Sequence, residues 1–104
     1  MIRRAFKMQL HAGQIEEYKR RHDALWPDLA QLLKEAGISD YSIFLDEGTL
    51  SLFGVLKTTN PEAMDALPAQ AVMQRWWAYM ADIMDTHPSN EPVSIPLTEV
   101  FHLD

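Results

Sequence analysis

The 104-residue chain predicts an α+β fold in which four strands form one antiparallel sheet and the helices pack on a single face of it. Three observations predict this. Residues 3–10, "RRAFKMQL", alternate with a period of two, and two blocks at 15–36 and 69–84 carry apolar residues at helical spacings. Three further β-rich runs divide around the second block, two before it and one after. The order strand, helix, strand, strand, helix, strand closes with right-handed crossovers as a ferredoxin-like βαββαβ plait. The length points to one domain over residues 1–104, able to bury roughly 65% of the surface its unfolded chain exposes.

Each element has a local reason. In the first strand Phe6, Met8 and Leu10 share a face, the pattern of a half-buried strand. After "HAGQ", a helix presents Ile15, Tyr18, His22, Trp26, Leu29, Leu33 and Ala36 on one stripe and ends before Gly37, a residue suited to the position just past a helix. Pro27 lies inside that stripe. It has no backbone N–H to donate to the carbonyl of Asp23, so a bend or restart is expected between His22 and Trp26. "DYSIFLD" and "TLSLFGVLK" read as a hairpin of residues 40–46 and 49–57 around Glu47 and Gly48. Asn60 before Pro61 reads as a helix cap, opening a short helix that Pro68 interrupts. The longer helix that follows sets Val72, Trp76, Met80 and Ile83 on one stripe, bordered by Met73, Trp77 and Met84. "DTHPSNEPVSIP" is a loop by composition, and "LTEVFHL", residues 97–103, alternates again as a last strand. One sheet face is left without helices, and Phe44, Leu52 and Val55 or Leu56 suggest that it is apolar. Such a face predicts a homodimer packed sheet to sheet.

Composition removes several function classes. The net charge is −6, from 15 acids against 9 Lys plus Arg, which disfavours nucleic acid and anionic lipid as partners. Cysteine is absent, so thiol catalysis, disulfides and most structural zinc sites are not available. No apolar run approaches the roughly 20 residues that span a bilayer, and the N-terminus lacks a signal-peptide block, which makes a cytoplasmic protein the expectation. His11, His22, His87 and His102 show no helical ligand spacing, so a designed metal site is not expected.

Two clusters carry candidate chemistry. In "EEYKRRHDALWPDL", residues 16–29, His22 titrates near neutral pH, shares a helix face with Tyr18 and sits where Pro27 disturbs the helix. A cleft suits this arrangement, and a filled corner of the core suits it as well. In "QRWWAYM", residues 74–80, adjacent indoles point about 100° apart around a helix. One can pack on the sheet while the other edges a cleft, where an indole offers a flat apolar face and an N–H. Two bulky core residues would give the same pattern.

Together "EEYKRRHDALWPDL", "DYSIFLD", "QRWWAYM" and "TEVFHL" resemble the L-rhamnose mutarotase family. The resemblance runs from the first strand to the last, within the broader dimeric α+β barrel type of fold. It implies an isomerase of carbohydrate metabolism that interconverts the α and β anomers of L-rhamnose, without cofactor, as a homodimer. In that pattern His22 is the general acid, and Tyr18, Tyr41, Trp76 and Trp77 bind the sugar. Departures are conservative: Leu25 and Asp28 stand where the family often carries Ile and Glu, and Phe44 where Tyr can occur. The base that partners His22 stays open among a carboxylate, with Glu17 and Asp82 as candidates, a tyrosine hydroxyl and a bound water. Two other readings use the same residue types on the same plait, a cofactor-independent monooxygenase or lactone isomerase and a non-catalytic small-ligand-binding module.

Overall fold

The computed structural model describes residues 1–104. Strand β1 (Ile2–Gln9) and strand β3 (Ser51–Thr58) form the middle of a four-stranded sheet, with β2 (Ile38–Asp46) outside β3 and β4 (Ile95–Leu97) outside β1. Every neighbouring pair is antiparallel. This is the βαββαβ plait that the order of periodicities predicts. Helices α1 (Ile15–Asp23), α2 (Pro27–Glu35), α3 (Pro61–Asp65) and α4 (Ala71–Met80) make up the other layer, with a short 3₁₀ turn at Leu67–Ala69.

Pro27 does not bend a continuous helix; it opens a second one. The amides of Ala24 and Leu25 donate to the carbonyls of Arg20 and His22 and close α1. Trp26 is extended, with φ −61° and ψ 130°, the region into which a following proline pushes its neighbour. Pro27 then occupies the first position of α2, where a missing N–H costs nothing. The resulting elbow sends the Trp26 indole back toward α4. Gly37 ends α2 with φ +77°, and a Cβ there would collide with the Thr59 side chain. Asn60 caps α3 as expected, its Oδ1 accepting from the amide of Ala63 at 3.2 Å.

The core between sheet and helices has two parts. Met8, Leu10, Tyr18, Leu29, Leu52, Trp76, Met80, Ile83 and Met84 form the larger, and Ala36, Ile38, Leu56 and Leu67 the smaller. Leu29, Leu52, Leu56 and Met80 are wholly enclosed, and burial of a side chain of that size contributes about 1.5–3 kcal/mol.

Two expectations need correction. Leu52 and Leu56 face the helices, not the bare side of the sheet. The register places Phe44 opposite Phe53 and leaves Val55, Ile95 and Leu97 on their side of the sheet. That face is apolar as expected, with Phe44 and Val55 on it, but Phe53, Ile95 and Leu97 take the place of Leu52 and Leu56. The final strand runs Ile95–Leu97, not 97–103, and residues 98–104 form no ladder. Alternation there encodes extended chain, and an extended chain becomes a strand only where a neighbour supplies hydrogen-bonding partners. Pro96, opposite Phe6, cannot donate. Beyond Leu97 the Arg3–Glu99 ion pair ties the segment back to β1.

Candidate active site

Tyr18 and His22 lie one turn apart on α1, so their rings meet: the centroids are 4.3 Å apart and nearly parallel. His22 Nδ1 is 3.0 Å from the carbonyl oxygen of Tyr18. A carbonyl only accepts, so Nδ1 carries the hydrogen, and in the neutral ring Nε2 holds a lone pair. Nε2 has no partner within the chain. Burial lowers the pKa of His22 below its usual value, outweighing the Tyr18 carbonyl and the charge of Asp23, both of which favour the imidazolium.

The second wall comes from α4. Trp76 is 5% exposed and Trp77 half-buried, which divides the adjacent indoles as their angular separation requires. Trp76 meets His22 at 5.4 Å between centroids, with the rings perpendicular. Behind it, Trp26 packs edge-on against Trp76 at 5.1 Å and stacks on Tyr79 at 5.5 Å.

The sheet supplies the floor. Phe6 lies over Gly54, directly opposite it in the register, and a Cβ on residue 54 would strike the Phe6 ring. Tyr41 meets Phe6 edge to face at 6.2 Å. Its position depends on a β-bulge. Between Ser39 and Ser42 strand β2 carries one residue more than β3, and Asp40 takes φ +50°. Because of that extra residue, Ile38 and Tyr41 both turn toward the helices, Ile38 into the smaller core and Tyr41 into the cleft. Tyr41 keeps 39% of its surface, yet its hydroxyl is sufficiently surrounded by protein that its pKa is pushed up to about 12. Burial, and then the nearby Tyr41, raise Tyr18 as well. Both phenols are therefore neutral hydrogen-bonding groups at physiological pH, and neither hydroxyl has a partner within the chain.

All five residues singled out in the sequence, Tyr18, His22, Tyr41, Trp76 and Trp77, line one cleft of about 860 Å³. The carboxylates weighed as partners of His22 are engaged elsewhere. Glu17 accepts from Arg20 and Arg21, and these bonds hold its carboxyl down to about 2. Asp82 accepts two bonds from Arg21, which lower it as well. Sequence reasoning missed Arg21 as a buried group, Trp26 and Tyr79 as the backing of Trp76, and the bulge at Asp40. For Arg21 the one available signal was Glu17 four residues earlier, a spacing common on exposed helices. Trp26 already stood on the apolar stripe.

Fold and site together define a class: a small ferredoxin-like α+β plait whose aromatic cleft holds a single imidazole with one free nitrogen. Within that class the chain belongs to the L-rhamnose mutarotase family, whose model matches residues 3–103. It is 62% identical over 103 residues to the L-rhamnose mutarotase of Jannaschia sp. (strain CCS1), with 99% of each chain covered. It is likewise 62% identical over 103 residues to that of Sinorhizobium fredii, again with 99% of each covered. The crystal structure of an L-rhamnose mutarotase from Formosa agariphila superposes with a TM-score of 0.94 at 50% identity, covering 100% of both chains. The four sequence blocks thus pointed to the right family, and the oxygenase and binding-module readings are not favoured. No helix is long and apolar enough to cross a membrane.

Proposed function

We propose that this chain, acting as one domain over residues 1–104 in the cytoplasm, interconverts the α and β anomers of L-rhamnose, with His22 as the proton-transfer residue. The observation that carries this reading is the His22 ring. Its Nδ1–H is held by the Tyr18 carbonyl, and its Nε2 is left free in a cleft walled by indoles and phenols.

Anomer exchange has a small set of chemical requirements. The bond between C1 and the ring oxygen must break as a proton reaches that oxygen and the proton of the C1 hydroxyl leaves. The open-chain aldehyde then turns about the C1–C2 bond, and closure on the other face reverses both transfers. As general acid, His22 donates from Nε2 to the ring oxygen and recovers the same proton on closure, so no proton is consumed overall. The Tyr18 carbonyl stabilises the imidazolium and keeps the ring oriented through both steps. A bound water takes the C1 hydroxyl proton and returns it on closure, either directly or through a phenol that accepts it while giving its own proton to that water, since Glu17 and Asp82 are held by arginines. Proton transfer of this kind contributes about 10²- to 10⁴-fold in rate.

Tyr18 and Tyr41 offer hydroxyls to the sugar, and Trp76 and Trp77 offer apolar ring faces. An indole wall suits a 6-deoxy sugar, which carries a methyl where another hydroxyl would demand a partner. No step in this scheme calls for a metal or a redox cofactor. We also propose a homodimer through the bare sheet face, where Phe44 is 64% exposed beside Phe53, Val55, Ile95 and Leu97. Saturation transfer between the anomeric proton resonances of L-rhamnose tests the activity. Transfer is expected with the native protein and should vanish with folded His22→Ala. Native-level transfer in that variant would end the assignment of His22, and no transfer with the native protein would end the assignment of the substrate.

A further inference from the structure

Arg21 follows a different logic from its neighbour His22. It is 9% exposed on a helix whose other cations are in water. Its Nε donates to Glu17 at 2.7 Å. Nη1 donates to the Tyr79 carbonyl at 2.7 Å and to Asp82 Oδ1 at 2.8 Å, while Nη2 reaches Asp82 Oδ2 at 3.2 Å. The guanidinium also lies 4.5 Å from the centroid of the Tyr79 ring. Tyr79 stacks on Trp26, Trp26 packs on Trp76, and Trp76 meets His22 edge-on. The contacts form a closed ring that starts and ends on consecutive residues of α1. The Tyr79 carbonyl belongs to the last turn of α4, which has no helical donors left to satisfy it. Arg21 supplies one from a different helix and so joins the end of α4 to the last turn of α1.

We infer that Arg21 is a positioning residue for the reaction: by clamping the end of α4 to α1 it sets the distance between the His22 imidazole and the Trp76 wall against which the sugar is held. This rests on the reading of His22 given above. The planar fork is essential, because only a guanidinium can serve Glu17, the Tyr79 carbonyl and both oxygens of Asp82 at once. A lysine at this position would reach one or two of them.

The test compares Arg21→Met, Arg21→Lys and Arg20→Met with the native enzyme and with His22→Ala. Anomer exchange of L-rhamnose is measured well below the melting temperature of each variant. Arg20 shares Glu17 but lies in water, so Arg20→Met should exchange anomers at the native rate. Arg21→Met should lose roughly 10- to 100-fold in kcat, the scale on which misplacement by about 1 Å is felt, with KM changed less than kcat. Arg21→Lys should recover only part of that loss. Millimolar guanidinium chloride should restore activity to Arg21→Ala where equal sodium chloride does not. A native kcat in folded Arg21→Met would overturn the inference and reduce Arg21 to a stabilising role. If Arg21→Met does not fold, Asp82→Ala decides, because it removes the bidentate partner and leaves the guanidinium. A lowered kcat supports the clamp, and a native kcat overturns it. Native activity in His22→Ala would instead refute the reading of the site, a result distinguishable from failure of the clamp alone.

Discussion

Helix α1 carries two polar faces about 100° apart, and they are built in opposite ways. On one, Glu17 and Arg21 are saturated: Arg21 makes four hydrogen bonds to three partners, and Glu17 accepts from two arginines. On the other, Tyr18 and His22 share a single side-chain bond, from Nδ1 to a backbone carbonyl. Each face has one buried member, Arg21 on the first and Tyr18 on the second. Buried polar groups are normally partnered, because an unmade hydrogen bond costs more than a made one returns. The saturated face therefore reads as architecture. The face with free phenol hydroxyls and a free Nε2 is the one on which the proposed sugar site rests.

The comparison is broken most severely at His22 and at Trp76. His22→Ala should lower anomer exchange by about 10²- to 10⁴-fold, and its calorimetric midpoint should stay near the native one. Trp76→Ala should cost about 3–5 kcal/mol of stability in urea unfolding, as expected for a buried aromatic removed from a core. Trp77→Ala, half-buried on the same helix, should lose clearly less stability and raise KM for the sugar. Equal destabilisation by the two substitutions would contradict the division of roles between the indoles.

The two faces should also titrate in separate windows. His22 has a pKa below its unfolded value of 6.5. Above that value the group is neutral in both states and adds no pH dependence. As pH falls from 6.5 toward the lower folded value, the unfolded chain takes up the proton first, so stability declines with falling pH. His22→Ala should lack that decline. Turnover should move the other way, rising as pH falls toward the same pKa because the imidazolium is the donor; a rise with increasing pH would make His22 the base instead. The Arg21 face responds lower down. Glu17 ionises near 2 in the fold against 4.5 for the free group. Its contribution is complete above about pH 4.5 and is lost as pH falls toward 2. Glu17→Gln should remove this acid-side loss and leave the window near neutrality unchanged.

The smallest effects belong to the phenols. Tyr18→Phe and Tyr41→Phe each delete one hydroxyl, and an ordinary hydrogen bond is worth about 0.5–1.5 kcal/mol. Each should raise KM for L-rhamnose by roughly 2- to 12-fold with the melting temperature almost unchanged. A fall in kcat comparable to that of His22→Ala would identify that phenol as the second proton-transfer group.

Much of this site was legible in the chain, for identifiable reasons. Tyr18 and His22 meet because residues four apart on a helix always do. Trp76 and Trp77 diverge because residues one apart always do. Tyr41 was legible only through the family resemblance, since periodicity assigned it to a strand without saying which way the bulge at Asp40 would turn the neighbouring residues. Arg21 was invisible as a buried group, because its partners Tyr79 and Asp82 lie about 60 residues further along the chain. The last strand was misjudged because alternation in "LTEVFHL" reports backbone extension and not the presence of a pairing neighbour.

By itself the sequence determined the order of elements, the cap at Asn60, the interruption of the helix near Pro27 and the pairing of phenol with imidazole on α1. All of these are set by residues within about one turn of each other, where backbone geometry leaves few alternatives. Only the tertiary structure decided that Arg21 would be buried, that Trp76 and not Trp77 would enter the core, and that Ile38 and Tyr41 would both face the helices across a bulge. Those outcomes depend on which surfaces meet when distant segments pack, and desolvation and hydrogen-bond geometry then select among side chains that a local pattern treats as equivalent.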